Sequence, residues 1–305
     1  MFHAMDRLVQ AIQRTGNPTV AGLDTRLEYL PPSFAQSHMQ ANTLEEAAKA
    51  ILAYNKKLVD ALHDIIPAVK VQLAYYEMYG VAGLQAFQDT CRYAAQHGLL
   101  VMADGKRNDI DATAEAYAAA FLGDTPVNTR RVPAFDVDFL TVNPYLGIDG
   151  VQPFMDACGR YGKGIFLLVK TSNPSSGDFQ DVDCGGIPLY ERVGMKCAEW
   201  GSGLVGAEGF SAVGAVVGAT YPEQGARLRQ LLPNTFFLVP GYGAQGATAQ
   251  DLAGTFDTQG RGAVVNASRS LLCAWQKRST DDFAQAARDE ALRMRDELRA
   301  CISGL

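Results

Sequence analysis

Histidine is scarce in this chain, and its scarcity removes several kinds of active site. The 305 residues include four histidines, and none of them follows a predicted strand. They are His3, His38, His63 and His97. Catalytic triads and many zinc sites depend on histidine, which is also the common general base near neutral pH. These chemistries are therefore disfavoured, and any catalysis falls to lysine and carboxylate side chains.

Paired cysteines are also missing. Six cysteines are scattered along the chain, and no two of them form a Cys-x-x-Cys pair. They are Cys91, Cys158, Cys184, Cys197, Cys273 and Cys301. Neither a zinc site nor a disulfide framework is indicated. We expect reduced thiols in a cytoplasmic protein.

Excess positive charge and long apolar runs are lacking as well. The formal net charge of −6 argues against a broad surface for nucleic acid or anionic membrane. No segment is long and apolar enough to span a bilayer, and residues 1–14 resemble an amphipathic helix rather than a signal peptide. No linker rich in proline, glycine or serine divides the chain, so we expect a single catalytic domain over residues 1–305.

Eight short apolar runs recur along the chain, and most end in polar or glycine-rich turns. They cover residues 20–23, 68–73, 99–103, 139–142, 165–169, 213–217, 236–239 and 263–265. Near-continuous apolar runs of this length are typical of strands buried on both faces.

Helical patterns separate several of these runs. One begins at Thr43, where Glu46 predicts a capping box. Another covers residues 109–121, which Gly123 can close, and a third covers 281–301. Alternating strands and helices, with eight strands, predict a (β/α)8 TIM barrel; a doubly wound open sheet is the alternative.

A cluster of opposite charges follows the third run. Asp104, Lys106 and Asp109 lie within six residues, and alternation along a strand end should point Asp104 and Lys106 the same way. A surface ion pair and a helix N-cap are the plain alternative, and for Asp109 alone we favour it. Charges at the carboxyl end of a buried strand are costly unless paired, and that end carries the chemistry in such barrels. The set therefore predicts proton transfer.

Two further charged residues belong to the same pattern. Lys70 lies inside the second apolar run, where a lysine is unfavourable unless it faces a polar cavity or a carboxylate. Asp24 ends the first run, although a turn residue there is equally expected. We predict one alternating array of two lysines, Lys70 and Lys106, and two aspartates, Asp104 and Asp109.

The last two strands indicate a phosphate site. A glycine-rich loop over 240–246, which includes Gln245, follows the seventh run, and Arg269 follows the eighth. Glycines let backbone N–H groups approach phosphate oxygens, and arginine offers a bidentate donor. Barrels of this class commonly bind phosphate with these two loops.

The run from Asp104 to Thr113 also resembles the signature of a known family. Asp104, Lys106, Asp109, Ile110 and Thr113 match the Asp-x-Lys-x-x-Asp-Ile-x-x-Thr signature, so the run resembles that of the orotidine 5′-phosphate decarboxylase family. The long loops resemble its bacterial subgroup with larger chains.

Other segments extend the resemblance over nearly the whole barrel. Asp24 is similar to the family's ribose-contacting aspartate, and Lys70 to its second-strand lysine. Ser172, in Lys-Thr-Ser-Asn-Pro, resembles the serine that contacts the pyrimidine. Gln245 resembles the glutamine that bridges base and phosphate, and Arg269 the phosphate-binding arginine.

The resemblance implies conversion of orotidylate to uridylate and carbon dioxide in pyrimidine biosynthesis, without metal or organic cofactor. Lys106 would protonate C6, and Asp104 would lie near the departing carboxylate. Lys70 and Asp109 would hold Lys106 charged and aimed. The resemblance also implies a homodimer with shared active sites, in which Asp109, Ile110 and Thr113 enter the partner's site.

Three alternatives remain open. A sister phosphosugar enzyme, such as a 3-keto-gulonate-phosphate decarboxylase or a pentose-phosphate epimerase, would need a divalent metal. A non-catalytic phosphosugar-binding barrel would not need all four charged residues. A structural or interaction protein fits least, because it would have to tolerate the buried charges.

Overall fold

Eight parallel strands close into a barrel in the computed structural model, which describes residues 3–243 and 246–304. The barrel strands are β1 (Thr19–Gly22), β2 (Ala68–Gln72), β3 (Leu100–Arg107), β6 (Phe139–Val142), β7 (Gly164–Lys170), β8 (Val213–Val217), β9 (Phe237–Pro240) and β10 (Ala263–Ala267). Two short strands, β4 (Thr125–Val127) and β5 (Arg130–Val132), form a separate antiparallel hairpin. Strand β1 pairs with both β2 and β10, which closes the sheet. The predicted TIM barrel is confirmed, and the open sheet is excluded.

Helices follow most barrel strands and form the outer layer. They are α1 (Ala4–Thr15), α2 (Pro32–His38), α3 (Leu44–Leu62), α4 (Ala74–Glu77), α5 (Gly80–Gln96), α6 (Asp111–Leu122), α7 (Gln152–Tyr161), α8 (Gly177–Gln180), α9 (Leu189–Gly201), α10 (Pro222–Leu231), α11 (Ala249–Leu252), α12 (Arg269–Leu272), α13 (Ala274–Arg278) and α14 (Phe283–Cys301). No helix in the described part of the chain is long and apolar enough to cross a bilayer.

Two predicted helix ends differ from the structure. Thr43 accepts a hydrogen bond from the backbone N–H of Glu46, but the Glu46 carboxylate accepts from Ala41 and Asn42 instead of completing a capping box. Helix α6 does end at Gly123, yet this glycine is extended rather than left-handed. The ring of Tyr161 packs 2.9 Å from the position that a Cβ of Gly123 would take, so contact with α7 decides that end.

The amino end of the barrel is closed by α1. Met5 and Leu8 of this helix are fully buried against the side chains that fill the barrel interior, such as Phe139 and Phe166. Arg7 donates to Asp138 at 2.7 Å, and Asp138 accepts from a backbone N–H at the start of β3. With that end sealed, the open rim lies at the carboxyl ends of the strands.

A buried arginine connects α10 to the amino ends of β9 and β10. The Arg229 guanidinium donates to backbone carbonyls of Thr255, Leu232, Thr235 and Gly262 at 2.8–3.0 Å. It also lies over the Phe237 ring, 3.8 Å from the centroid. Burial lowers the pKa of Arg229 to about 10, so the group stays charged at neutral pH. Backbone carbonyls and one aromatic face therefore surround this cation.

We expect Arg229→Met to destabilise the fold by about 3 kcal/mol, because it leaves buried carbonyls without donors. Arg92→Met is the control: Arg92 is mostly exposed and pairs with Asp89, and its loss should cost less than about 0.5 kcal/mol. Urea unfolding of both variants measures the difference. Equal stability of the two variants would contradict the structural role.

Candidate active site

A cavity of about 730 Å³ opens at the carboxyl ends of the barrel strands. Its walls carry charged, polar and aromatic side chains from most of the strand ends and the loops after them. They include Asp24, Tyr29, Lys70, Gln72, Tyr75, Asp104, Lys106, Thr141, Thr171, Ser172, Asn173, Gln180, Tyr242, Asn266, Ser268 and Arg269. A volume of this size is typical of a small-molecule site.

Four charged side chains form one connected array in this cavity. Lys70 Nζ lies 2.8 Å from Asp104 Oδ2 and 3.3 Å from Asp24 Oδ1. Lys106 Nζ lies 2.6 Å from Asp104 Oδ1. Lys70 and Asp104 are buried, whereas the Lys106 side chain is 45% exposed and extends toward the cavity. The structure thus brings together three of the four residues that the sequence pattern grouped, Lys70, Asp104 and Lys106. Asp24 takes the fourth place, where the sequence pattern had Asp109.

Strand register explains the grouping. Lys70 is paired with Gly22 at the end of β1, and Gln72 is paired with Asp104. Strand β3 continues to Arg107, beyond the predicted end at 103, and its register against β6 shifts between Ala103 and Arg107. Lys106 has a φ of +45°, a left-handed conformation that is uncommon for a residue with a side chain.

Thr141 on β6 completes the array and was missed by the sequence reasoning. Its hydroxyl donates to Asp104 Oδ1 at 2.8 Å and accepts from the backbone N–H of Lys106 at 3.0 Å. The available signal was a hydroxyl inside an otherwise apolar strand. One side chain therefore fixes both the Asp104 carboxylate and the turn of backbone that carries Lys106.

Electrostatics keep the central pair ionised. Burial alone would raise the pKa of Asp104, but Lys70 and Lys106 outweigh it and hold this pKa well below its usual range. Burial would lower the pKa of Lys70, yet Asp104 and Asp24 raise it above its ordinary value. At neutral pH Asp104 is therefore an anion and Lys70 a cation.

The predicted phosphate end lies at the last two strands. Arg269 begins α12 and lines the cavity, together with Gly241 and Tyr242 after β9. Asn266 and Ser268, which the sequence reasoning did not single out, line the same wall and are joined by a 3.1 Å hydrogen bond. Gln245 lies outside the described residues.

The loop after β7 supplies another wall. Ser172 lines the cavity as predicted, and so do Asn173 and Gln180. Gln180 is eight residues from Ser172 in sequence, and no local pattern indicated that it returns to the cavity. Its position depends on contacts made by the whole loop.

Three predicted residues lie away from this cavity. Asp109 accepts a hydrogen bond from the backbone N–H of Ile110 at 2.8 Å, and Ile110 and Thr113 are exposed. The helix begins at Asp111 rather than at Asp109, so Asp109 is not the N-cap either. Within one chain Asp109 does not reach Lys106, and its predicted place in a partner's site stays a prediction.

Metal-ligand geometry is not found among the described residues: no group of three or more His, Cys, Asp or Glu side chains is placed to hold an ion. In the array, the carboxylates of Asp24 and Asp104 instead face ammonium groups. The arrangement suits proton delivery from Lys106 and stabilisation of negative charge beside it.

The lowered pKa of Asp104 predicts how stability depends on pH. An aspartate has a pKa of about 3.9 in an unfolded chain, so the stabilisation from Asp104 is present above that pH. It is lost as the pH falls further, toward the lower pKa of the folded state. Lys70, whose pKa is raised, loses its contribution only at strongly alkaline pH. We therefore expect the stability gap between wild type and Asp104→Asn to be constant from pH 5 to 8 and to shrink below about pH 4.

Urea unfolding at pH 7, 5, 4 and 3 measures this gap. Asp136→Asn is the control, because it removes an exposed partner of Lys163 and should change stability little at any of these pH values. A gap that stayed constant down to pH 3 would contradict the assigned electrostatics.

Comparison with known proteins agrees with this geometry. Residues 40–280 match the model of the orotidine 5′-phosphate decarboxylase / HUMPS family. The orotidine 5′-phosphate decarboxylase of Caldicellulosiruptor saccharolyticus is 40% identical over 99% of this chain and its own full length. That of Rhodopirellula baltica is 43% identical over 96% of this chain and 94% of its own.

A solved structure shows the same likeness. The OMP decarboxylase of Leishmania donovani superimposes with a TM-score of 0.72 at 30% identity, covering 97% of this chain and 99% of that one. The family model spans most of the chain, and the relatives align over almost their whole lengths. This chain therefore belongs to the orotidine 5′-phosphate decarboxylase family.

Proposed function

We propose that this protein converts orotidine 5′-phosphate to uridine 5′-phosphate and carbon dioxide in pyrimidine biosynthesis. The observation that carries the proposal is the array of Asp24, Lys70, Asp104 and Lys106 in the cavity at the barrel rim. Membership of the family adds to it. A binding barrel without chemistry would have no use for two buried, paired charges beside a half-exposed lysine.

The chemical problem is a carbanion. Breaking the bond between C6 and the carboxylate leaves an electron pair in the plane of the pyrimidine ring, where the carbonyls cannot delocalise it. The Lys106 ammonium stabilises that charge as it develops and then transfers a proton to C6. Lys106 is left as a neutral amine and regains its proton from solvent.

Asp104 and Lys70 prepare Lys106 for this step. Asp104 holds the Lys106 ammonium at 2.6 Å, and Lys70 keeps Asp104 anionic. An anionic Asp104 beside the substrate carboxylate also disfavours the bound substrate relative to the product, which has lost that charge.

The remaining predicted contacts hold the parts of the nucleotide that do not react. Asp24 would bind the ribose, Ser172 the pyrimidine, and Arg269 with Gln245 the phosphate. Binding energy from these remote groups helps to place C6 at Lys106 and to close the loops over the substrate.

We also propose a homodimer in which Asp109, Ile110 and Thr113 contribute to the partner's site. Ile110 is 45% exposed, and the apolar side chains Tyr145, Leu146 and Ile148 are exposed as well. Leu146 lies close to Asp109, because the Leu146 Cβ and the Asp109 carbonyl are each 3.1 Å from the position that a Cβ of Gly150 would take. An exposed apolar patch of this kind is typical of an interface. A single catalytic domain over residues 1–305 and a cytoplasmic location complete the proposal.

The direct test is an absorbance assay of orotidine 5′-phosphate consumption by protein that has been treated with a chelator and dialysed. We expect full activity, because the proposed reaction uses only protein groups. Activity that is lost on chelation and restored by a divalent metal would overturn the metal-free proposal and favour the metal-dependent phosphosugar enzymes.

We expect Lys106→Ala to lower kcat by at least about 10³-fold, because it removes both the proton donor and the charge that stabilises the carbanion. The thermal midpoint should change little, since the Lys106 side chain is 45% exposed. Lys196→Ala is the control, because Lys196 is 51% exposed and also pairs with a carboxylate. Near-normal turnover by Lys106→Ala would refute the assigned role.

The shared site predicts complementation between two inactive variants. In a mixed dimer of Lys106→Ala and Asp109→Ala subunits, one site keeps both residues. Random pairing should then restore about a quarter of the wild-type activity. Mixing is done by refolding the two variants together, and each variant refolded alone is the control. No recovery in dimers shown to be mixed would count against a shared site.

A further inference from the structure

A second lysine at the rim is not part of the array. Lys170 ends β7 and is completely buried, yet it does not line the cavity. Its Nζ lies 2.7 Å from Asp181 Oδ1, 4.5 Å from the centroid of the Tyr221 ring and 5.6 Å from that of Tyr190. The ammonium is therefore solvated by one carboxylate and two aromatic faces.

A bulge in β7 turns Lys170 away from the cavity. Leu168 pairs with Val216 and Lys170 with Val217, so two steps along β7 match one step along β8. Leu168 lines the cavity, and regular alternation would place Lys170 on the same side. A bulge re-aims a side chain, and this one directs Lys170 into the layer between strand and helices.

The next residue, Thr171, is held in a similar way by Gln180. The backbone N–H of Thr171 donates to Gln180 Oε1 at 2.9 Å, and Gln180 Nε2 donates to Thr171 Oγ1 at 2.8 Å. The neighbouring pairs Lys170–Asp181 and Thr171–Gln180 thus join the two ends of the segment 172–179. We name residues 172–179, closed by these two pairs, the pinned loop.

The pinned loop presents Ser172 to the cavity. The Ser172 carbonyl accepts from the Thr220 hydroxyl at 3.2 Å. A Cβ at Gly218 would lie 2.8 Å from the Ser172 nitrogen, so the loop packs directly on backbone there. Gln180, beside Asp181, lines the same cavity. A small change in how the loop is pinned would therefore move both polar groups.

A buried ion pair contributes little net stability compared with apolar residues of the same volume, although it is effective at selecting one conformation. We propose that Lys170 and Asp181 are positioning residues, which hold the pinned loop where Ser172 and Gln180 contact the pyrimidine. The identity of that ring rests on the proposed function. The ribose and phosphate contacts come from other strands and do not depend on the pair.

The test compares two ligands that share ribose and phosphate. Calorimetry measures the affinity of wild type and Lys170→Met for uridine 5′-phosphate and for ribose 5-phosphate, which lacks the base. We expect at least about tenfold weaker binding of the nucleotide and a change below about twofold for ribose 5-phosphate. A variant that was only less stable would bind both ligands more weakly to the same extent.

Lys163→Met is the matched control. Lys163 immediately precedes the same strand at its other end and also pairs with an aspartate, Asp136, at 2.7 Å. Its loss should leave both affinities unchanged. If Lys170→Met does not fold, Lys170→Met with Asp181→Asn removes both charges of the pair and is measured in the same way.

The outcomes separate the two proposals. Equal weakening of both ligands, or no weakening of the nucleotide, in a folded variant would overturn the positioning role. A wild-type protein that neither binds uridine 5′-phosphate nor consumes orotidine 5′-phosphate would instead overturn the proposed function.

Discussion

The site depends on one buried carboxylate with two ammonium partners. Asp104 Oδ2 accepts a hydrogen bond from Lys70, and Asp104 Oδ1 accepts one from Lys106 and one from the Thr141 hydroxyl. Removing Asp104 or Lys70 leaves a buried charge with one partner fewer, and such a loss costs more than the intact pair stabilises. The same carboxylate holds the Lys106 amino group at 2.6 Å, where the side chain lines the cavity.

Two other buried cations, Arg229 and Lys170, lie elsewhere in the barrel, and each is stabilised by different neighbours. Arg229 is surrounded by backbone carbonyls near the amino ends of the strands, where it connects α10 to β9 and β10. Lys170 is enclosed by Asp181 and two tyrosine rings beside the cavity wall. Of these three clusters, the Asp104 array is the one with a half-exposed charged side chain, Lys106, at the cavity. That difference sets the lysine proposed as proton donor apart from the two enclosed cations.

The barrel and most of the array were predictable because both follow from the order of apolar and charged residues along the chain. Buried parallel strands appear as apolar runs, and Asp24, Lys70 and Asp104 interrupt or end those runs. Features that depend on distant contacts were not predictable in this way. The return of Gln180 to the cavity depends on its contacts with Thr171, and the turn of Lys170 depends on a register shift against β8. The contact of the Glu46 carboxylate is local, but it depends on the left-handed backbone of Asn42, which the residue pattern did not indicate. Thr141 carried a signal, although a weak one. Asp109 does not reach Lys106 within one chain, and its place in a partner's site stays a prediction.

The backbone at Lys106 has an evolutionary consequence. A left-handed φ favours glycine, and any other residue there costs of order 1 kcal/mol. Selection for stability alone would thus draw this position toward glycine. A lysine in this conformation carries that cost in stability, and its amino group is aimed by a constrained main chain as well as by its own flexible side chain.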